Sequence, residues 1–245
     1  MSWLYKEWAD ITNSLVRRLF EFHQILAEYM YYTKQSCITK SDLKNFCQLM
    51  NISIKWRDIK NKSLLNRNNI GNYKFSHKSI WEYFIAVNAF SNLNFRKEFV
   101  KNKPENYPMA LLFLQEMSEK ILDEYLHNPC IPLTDKPLSY LLFSNVTLSN
   151  ADLDRINFEG SDFSNACLYK CNFSNSNLKG ANLKNTCLND CVMSKANLNG
   201  ALFLETDIVK IRHILMAADF SHIVLENNAE IKEVSRAEIS IYPWL

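Results

Sequence analysis

The chain has 245 residues, of which 47% are hydrophobic and 22% charged, a composition that suits one or two folded domains with a hydrophobic core. Its longest apolar runs are far shorter than the roughly 18 residues that a membrane helix requires, so no membrane contact is expected. Seven cysteines without a regular spacing, and an N-terminus without the pattern of a secretory signal, favour a reducing cytoplasm over a secreted disulfide scaffold.

The net charge is only +2, but the charged residues are unevenly placed along the chain. Residues 1–103 hold 17 lysines and arginines against 8 aspartates and glutamates, whereas residues 104–245 hold 11 against 18. This asymmetry predicts two parts with different partners.

The first part of the chain is predicted to be helical with one hairpin. Apolar residues recur at alternating steps of three and four over residues 3–32, and a second helix with N-cap chemistry follows over 38–50. The turn residues 68–72 lie between two β-prone runs, which predicts a two-stranded hairpin. Ser76 is expected to cap a further helix that ends at Phe90. Helices followed by a two-stranded wing describe a winged-helix domain, assigned to residues 1–103.

The end of this domain resembles the signature F-x-H-x-S-x-x-E-Y-F-x-A that closes the winged helix of NACHT-type STAND ATPases. The matching positions are Phe75, His77, Ser79, Glu82, Tyr83, Phe84 and Ala86. No G-x-x-x-x-G-K-[ST] motif occurs, so the chain is not expected to be the ATPase itself. The resemblance covers roughly residues 35–95 and implies a nucleotide-sensing role for His77. The alternative is a histidine that only caps a helix.

Six basic residues flank the supposed recognition helix and the wing of this domain. They are Lys55, Arg57, Lys60, Lys62, Arg67 and Lys74. Such a patch on a winged helix would bind DNA phosphates. The alternatives are a solvated face and a docking surface for a separate ATPase domain.

Residues 104–142 are expected to link the two parts and to cover the start of the C-terminal one. Two apolar segments, at 107–114 and 121–126, are interpreted as two linker helices.

A repeat of five residues occupies residues 143–210. An apolar residue recurs in phase from Leu148 to Ile208, and a small or compact residue stands two positions before each one. A period of five would scatter these residues around an α-helix and alternate them between the two faces of a strand. The pattern therefore predicts a solenoid whose backbone turns a corner at every repeat and points the same two side chains inward.

The spacing of identical residues predicts four repeats per coil. Three of the four glycines are Gly160, Gly180 and Gly200, and asparagines recur at 157, 177 and 197. Stacked glycines suit a turn with positive φ, and stacked asparagines suit a ladder of amide hydrogen bonds. Thirteen or fourteen repeats then make a little over three coils, roughly 15 Å of column.

These repeats resemble the A-(D/N)-L-X-X consensus of pentapeptide-repeat proteins, in segments such as Ala151-Asp-Leu-Asp-Arg and Ala181-Asn-Leu-Lys-Asn. The resemblance implies a right-handed quadrilateral β-helix, but it says little about activity because such repeats serve many functions. In bacteria and cyanobacteria, modules with the NACHT-type signature are often followed by a helical linker and pentapeptide repeats, which is the order in this chain.

The end of the column needs a cap, because open solenoid ends expose unpaired strand edges. The apolar spacing of residues 208–218 predicts a helix that caps the last coil and covers Leu202 and Leu204. Residues 211–245 are assigned to this cap and a tail. The tail, 239–245, is interpreted either as a docked segment or as a homodimer contact.

The cysteines and histidines give no sign of a metal or catalytic site. Cys171 and Cys191 fall on inward positions and Cys167 and Cys187 on outward ones, so four sulfurs would not converge on zinc. An oxidised Cys167–Cys187 pair is sterically allowed but not expected in a reducing compartment. The five histidines are scattered, and none neighbours a recognisable nucleophile. No cofactor, metal or catalytic residue is assigned.

The sequence thus predicts an α+β chain with a helical, winged-helix-like part, a β-helix and a helical cap. The leading hypothesis is a non-catalytic interaction module, the sensor or adaptor part of a NACHT/STAND-type signalling or defence system. It would bind protein partners, among them an upstream or separate STAND ATPase domain. DNA binding through the basic patch is the main alternative. Mimicry of DNA toward gyrase has less support, because residues 148–210 carry 7 acidic against 6 basic groups.

Overall fold

A computed structural model gives the fold. It describes residues 14–102, 106–127, 138–228 and 230–241. None of the helices in these ranges is long and apolar enough to cross a membrane. The chain divides into two compact units. The first comprises residues 1–91 and 104–113, and the second comprises residues 92–103 and 114–245.

The first unit is built from helices and one hairpin in the predicted order. These elements are α1 (Ser14–Tyr32), α2 (Lys40–Leu49), α3 (Trp56–Lys62), β1 (Leu65–Arg67), β2 (Tyr73–Phe75) and α4 (Lys78–Ser91). The predicted first helix is present from Ser14, and its part over residues 3–13 lies outside the described residues.

Local signals explain where these elements begin. The Thr39 hydroxyl accepts a hydrogen bond from the Asp42 N–H at 3.1 Å and so caps α2. The hairpin pairs β1 with β2 in antiparallel register, and its turn is closed by the Asn72 N–H, which donates to the Asn68 side chain at 2.9 Å. Ile38 forms a bridge to Tyr73, so the segment before α2 adds a third strand position to the hairpin.

The prediction that Ser76 caps α4 is wrong. The helix begins at Lys78, and the Nδ1 atom of His77 accepts a hydrogen bond from the Ser79 N–H at 3.2 Å. The imidazole acceptor therefore takes the place that a hydroxyl was expected to fill.

α4 packs against α1 through an aromatic core. The rings of His23, Phe75 and Phe84 lie within 6.0 Å of one another between centroids. The Trp81 indole donates to the Ala27 carbonyl at 3.2 Å, which places a further ring of α4 along α1.

The second unit opens with helix α5 (Leu93–Lys101), which Asn92 caps by accepting from the N–H groups of Asn94 and Phe95. The prediction of two linker helices is wrong, because both segments lie in one helix, α6 (Pro108–His127). The residues between them, Gln115 to Lys120, include no glycine or proline to interrupt a helix. The first turns of α6 belong to the first unit and the rest to the second.

The repeats form a β-helical solenoid in which residues twenty apart pair in parallel. One ladder joins Leu142 to Asp162, Asp162 to Asn182 and Asn182 to Leu202. Another contains β3 (Thr147–Ser149) and β4 (Cys167–Tyr169), which pair in register. The first coil begins before the predicted residue 143, since the Tyr140 N–H already donates to the Glu159 carbonyl at 2.8 Å.

The end of the column contains more β-structure than predicted. The elements there are β5 (Leu202–Leu204), a 3₁₀ turn (Glu205–Asp207), α7 (Ile208–Ala217), β6 (His222–Asn227), β7 (Glu230–Ser235) and α8 (Arg236–Ile241).

The predicted cap helix is present as α7, and its apolar residues Ile208, Ile211, Ile214 and Leu215 are buried. Ile208 is in phase with the repeat in the sequence, but in the structure it is the first residue of α7 and does not belong to a coil. The cap contains strands as well as the predicted helix, because β5 pairs in parallel with β6, which pairs with β7. Of the tail, Ile239 is buried in α8 and its carbonyl accepts from Arg212 at 3.1 Å. Residues 242–245 lie outside the described residues.

Candidate functional site

The inside of the column is filled by the residues that the five-residue period selects. The apolar residues from Phe143 to Phe203 on this period are buried. Four phenylalanines, Phe143, Phe158, Phe163 and Phe173, contact one another with ring centroids 5.1 to 6.1 Å apart. Buried hydroxyls are satisfied by carbonyls, as in the bond from Thr186 to Phe163 at 2.8 Å. The chemistry that the column offers to a partner therefore lies on its outer faces.

A left-handed residue occupies the corner of every repeat. Every fifth residue from Tyr140 to Gly200 has a positive φ, and the three glycines on this series have φ of 65°, 65° and 68°. The prediction of positive φ at the glycines is confirmed, although the requirement recurs every five residues and not every twenty. At most other corners, asparagine and lysine adopt the same conformation.

Side-chain amides form hydrogen-bonded ladders on the outer faces. Asn177 donates to Asn157 at 3.0 Å, and Asn197 donates to Asn177 at 3.1 Å, which confirms the predicted amide ladder. On two other faces, Asn172 donates to Asp152 and Asn182 to Asp162, each at 2.9 Å.

The same side-chain oxygens also shape the corners. The Asn177 Oδ1 atom accepts from the Lys179 N–H at 3.2 Å, and the Asp162 Oδ1 atom accepts from the Ser164 N–H at 2.9 Å. Each such residue therefore stabilises its own corner and also binds a side chain of the neighbouring coil. As a result, the polar groups on the outer faces are ordered.

The cysteines take the orientations that the repeat phase predicts. Cys171 and Cys191 are buried, whereas Cys167 is exposed and Cys187 half-buried. Partial desolvation, together with the neighbouring Cys187, raises the pKa of Cys167, so its thiol stays protonated near neutral pH and is a weak nucleophile. The buried Cys191 thiol donates to the Leu168 carbonyl at 3.2 Å, which is a structural role. Among the residues that the structure describes, no group of three or more His, Cys, Asp or Glu side chains converges on a metal position.

His77 lies exposed at the start of α4. Its Nδ1 atom accepts from the Ser79 N–H at 3.2 Å and is 2.7 Å from the Ser79 hydroxyl oxygen. With Nδ1 as the acceptor, the hydrogen-bond pattern assigns the ring N–H to Nε2. His77 therefore caps the helix and directs one N–H donor into solvent.

The predicted basic residues lie on the surface of the first unit. Lys55, Arg57, Lys60, Arg67 and Lys74 are exposed. The side chain of Lys62 lies outside the described residues.

Sequence reasoning missed two lysines of α2 that belong to the same surface. The ammonium groups of Lys40 and Lys44 lie 5.5 and 5.9 Å from the centroid of the Trp56 ring, and both side chains are exposed. Their spacing of four residues on a helix next to Trp56 in α3 was the available signal. Residues 34–74 hold nine basic residues against the two acidic residues Asp42 and Asp58.

Comparison with known proteins places the repeats in a family. Residues 142–180 and 176–210 match the model of pentapeptide repeats, with eight copies. No curated protein matches the chain.

The solved structures that match the chain include two pentapeptide repeat proteins. The pentapeptide repeat protein Rfr23 of the cyanobacterium Cyanothece 51142 is 36% identical over 20% of this chain and 34% of its own length, with a TM-score of 0.20. A pentapeptide repeat protein of the Arabidopsis thaliana thylakoid lumen is 21% identical over 31% of this chain and 74% of its own length, with a TM-score of 0.19. The match thus spans about a third of the length of Rfr23.

Proposed function

We propose that the pentapeptide column is a protein-binding surface and that the chain acts without catalysis. The observation that carries this proposal is the set of outer amide ladders, which hold polar groups in register on the outer faces. A surface fixed in this way loses little conformational entropy when a partner binds. The spacing of twenty residues along each ladder supports four repeats per coil and hence a quadrilateral form. The right hand of the coil is proposed from the family resemblance alone.

A comparison of outward variants tests this function. Tyr169 and Val192 are exposed on the column, at 38% and 51%. We expect Tyr169→Ala or Val192→Lys to remove a bound protein that the full wild-type chain retains from host extract, with no change in melting temperature. Val209→Lys, a change on α7 outside the ladders, is the control because Val209 is 40% exposed. Identical sets of bound proteins for all four chains would contradict the proposal.

The finer assignment is a sensor or adaptor in a bacterial, cytoplasmic NACHT/STAND-type system, with the first unit as its winged-helix part. Its support is the element order of helix, strand position at Ile38, two helices and a hairpin. The signature residues also have structural roles: Phe75 is buried, and Glu82 accepts from the N–H groups of Met109 and Ala110 at 2.7 and 3.0 Å. Both roles hold the end of this unit together.

In this assignment His77 contacts nucleotide phosphates supplied by an upstream or separate ATPase domain. The outward Nε2–H is the donor that such a contact needs. Addition of a separately purified partner ATPase with ATP should then protect His77 from diethyl pyrocarbonate, with His127, an exposed histidine on α6, as the control. Equal modification of both residues would contradict a nucleotide-sensing role.

The basic surface of the first unit favours DNA binding as a second function. Neutralising Lys55, Arg57 and Lys60 to Gln should weaken duplex binding and reduce the salt dependence by about one unit of slope for each phosphate contact. The matched control replaces three exposed lysines of the column, Lys170, Lys179 and Lys195. Equal affinity and slope for both triple variants would exclude this surface. In the same preparations, gyrase supercoiling is expected to be unaffected.

A further inference from the structure

Within the described residues, one strand edge of the first coil has no partner strand. In the parallel ladder of β3 and β4, the Cys167 N–H points toward β3 and donates to the Val146 carbonyl at 2.8 Å. Thr147 stacks in register on Cys167, so its N–H and carbonyl have the same orientation and point away from β4. In the described part of the chain, β3 has β4 as its single partner strand.

A cleft of about 560 Å³ lies beside this free edge, between β3 and the part of α6 that belongs to the second unit. Its apolar lining consists of Leu122 and Leu126 from α6 and Val146 and Leu148 from the coil. Leu122 is 1% and Leu148 8% exposed, so the side chains that form the apolar floor are packed closely against neighbouring residues. The cleft thus combines backbone hydrogen-bonding groups with an apolar floor.

The charged lining of the cleft is acidic. Glu116, Glu119 and Asp123 line it together with one base, Lys120, which lies 3.7 Å from Glu124. Glu116 and Asp123 are exposed, whereas Glu119 accepts from the Gln115 amide at 2.8 Å. A peptide in the cleft would therefore meet a negative field at short range.

We propose that this cleft binds an extended basic peptide, which adds as a strand to the free edge of β3. The inference rests on the proposed protein-binding function and names the site and the chemistry of a partner. In an extended peptide, alternate side chains point to opposite sides. Apolar residues can then face Leu122 and Leu126 while lysines or arginines face the carboxylates, and the peptide backbone pairs with Thr147.

The probe is a fluorescein-labelled peptide of eight residues that alternates lysine and valine, measured by fluorescence anisotropy on the full chain. A peptide that alternates glutamate and valine should bind at least tenfold more weakly. Two further probes carry N-methyl groups, one on every lysine and the other on every valine. Only the set of N–H groups that faces β3 is needed, so one methylated probe should lose about five- to tenfold in affinity and the other should not.

Variants of α6 test the acidic lining. The double change Glu116→Gln with Asp123→Asn should weaken the lysine–valine probe roughly tenfold at low salt. The matched control, Glu230→Gln with Glu233→Gln, removes two charges from exposed positions of β7 outside the lining and should leave the affinity within about twofold.

The outcomes separate this inference from the function on which it rests. Equal binding of both methylated probes and the parent, or an affinity unaffected by the double change, would overturn strand addition in the cleft. If the outward variants of the column still lose their bound protein in that case, the protein-binding function stands and only this site is wrong.

Discussion

At the scale of single residues, His23 shows how the first unit depends on one uncharged imidazole. The side chain is fully buried, and its Nε2 atom accepts a hydrogen bond from the Leu64 N–H at 2.9 Å. Burial lowers the pKa of His23 from 6.5 to about 4, and the nearby backbone of Leu19 opposes this shift. The proton would remove the acceptor that joins α1 to the chain before β1.

This pKa predicts that the first unit loses stability in mild acid. Between pH 6.5 and about 4 the unfolded chain takes up a proton at His23 that the folded chain excludes. The free energy of unfolding should have its full value above pH 6.5 and should fall by up to about 3 kcal/mol as the pH approaches 4. Urea unfolding followed by tryptophan fluorescence at pH 7 and pH 4.5 measures this. His23→Gln should reduce the pH dependence, whereas His127→Gln, at an exposed position, should leave it unchanged.

Two glycines of the column predict a difference between identical substitutions. Gly160 and Gly180 both have φ of 65°, so alanine at either position carries the cost of a left-handed residue, about 1 kcal/mol. A Cβ at Gly160 would lie 2.3 Å from the Tyr140 ring, whereas a Cβ at Gly180 meets nothing within 4 Å.

Gly160→Ala should therefore destabilise the column by roughly 1–3 kcal/mol more than Gly180→Ala in thermal or urea unfolding. In the background of Tyr140→Ala the two glycine substitutions should cost the same, because the clash is removed. A persistent difference in that background would show that the Tyr140 ring is not its cause.

At the scale of elements, the ladders have a direction that the order of residue types sets. Asp152 lies in the first coil, and Asp162 follows the apolar Leu142 of that coil on its ladder. Both carboxylates only accept, and the asparagine of the next coil donates to each of them. Asn177 lies in the middle of its ladder and both donates and accepts. A carboxylate thus suits a position with no polar side chain before it on the ladder to receive a donor.

Asn177→Ala should destabilise the column by about 1–3 kcal/mol, because it removes both ladder bonds and the acceptor for the Lys179 N–H. Asn189→Ala, at an exposed turn position outside the ladders, should change the unfolding free energy by less than about 0.5 kcal/mol. Equal effects of the two changes would show that the ladder adds nothing to stability.

Much of the column could be predicted because its period repeats. Thirteen in-phase positions fix which residues face inward, so the burial of Phe158 and Cys171 and the exposure of Cys167 follow from spacing alone. The hairpin of β6 and β7 could not be predicted in this way. It occurs once, and its pairing with β5 joins Leu202 to Val224, residues that share no repeat phase.

Whether a site residue could be predicted also depended on whether its signal was local in the sequence. The basic residues from Lys55 to Lys74 were visible as a run in sequence, whereas Lys40 and Lys44 became part of that surface only through their contact with Trp56. The edge of β3 is free because no second described strand lies beside it, and no residue type in the sequence indicates this.

At the scale of the whole molecule, the C-terminal elements close the column. The N–H groups of Lys195, Leu198 and Gly200 donate to the carbonyls of residues 217, 219 and 222 at 3.1, 2.9 and 3.0 Å, respectively. The last coil therefore depends on this later segment for its backbone partners.

A chain that ends at residue 204 should lose these partners and associate through the exposed coil. Light scattering after size-exclusion chromatography should then detect oligomers or aggregates that the full chain lacks at equal concentration. The change Ile231→Lys, at a position that is 69% exposed on β7, is the control and should leave the mass unchanged. If the truncated chain were monodisperse and had the same number of chains per particle as the full chain, a capping role for these elements would be contradicted.

The pairing of residues twenty apart also determines how such a gene can change length. Duplication of twenty codons within the repeats would add one whole coil, since every inward residue, corner and ladder would meet an equivalent neighbour. Duplication of five codons would keep the inward residues inward, but it would shift each later ladder by one face and place Gly180 above a different corner. Growth of the column by whole coils is therefore the path that evolution can follow without rebuilding the outer surface.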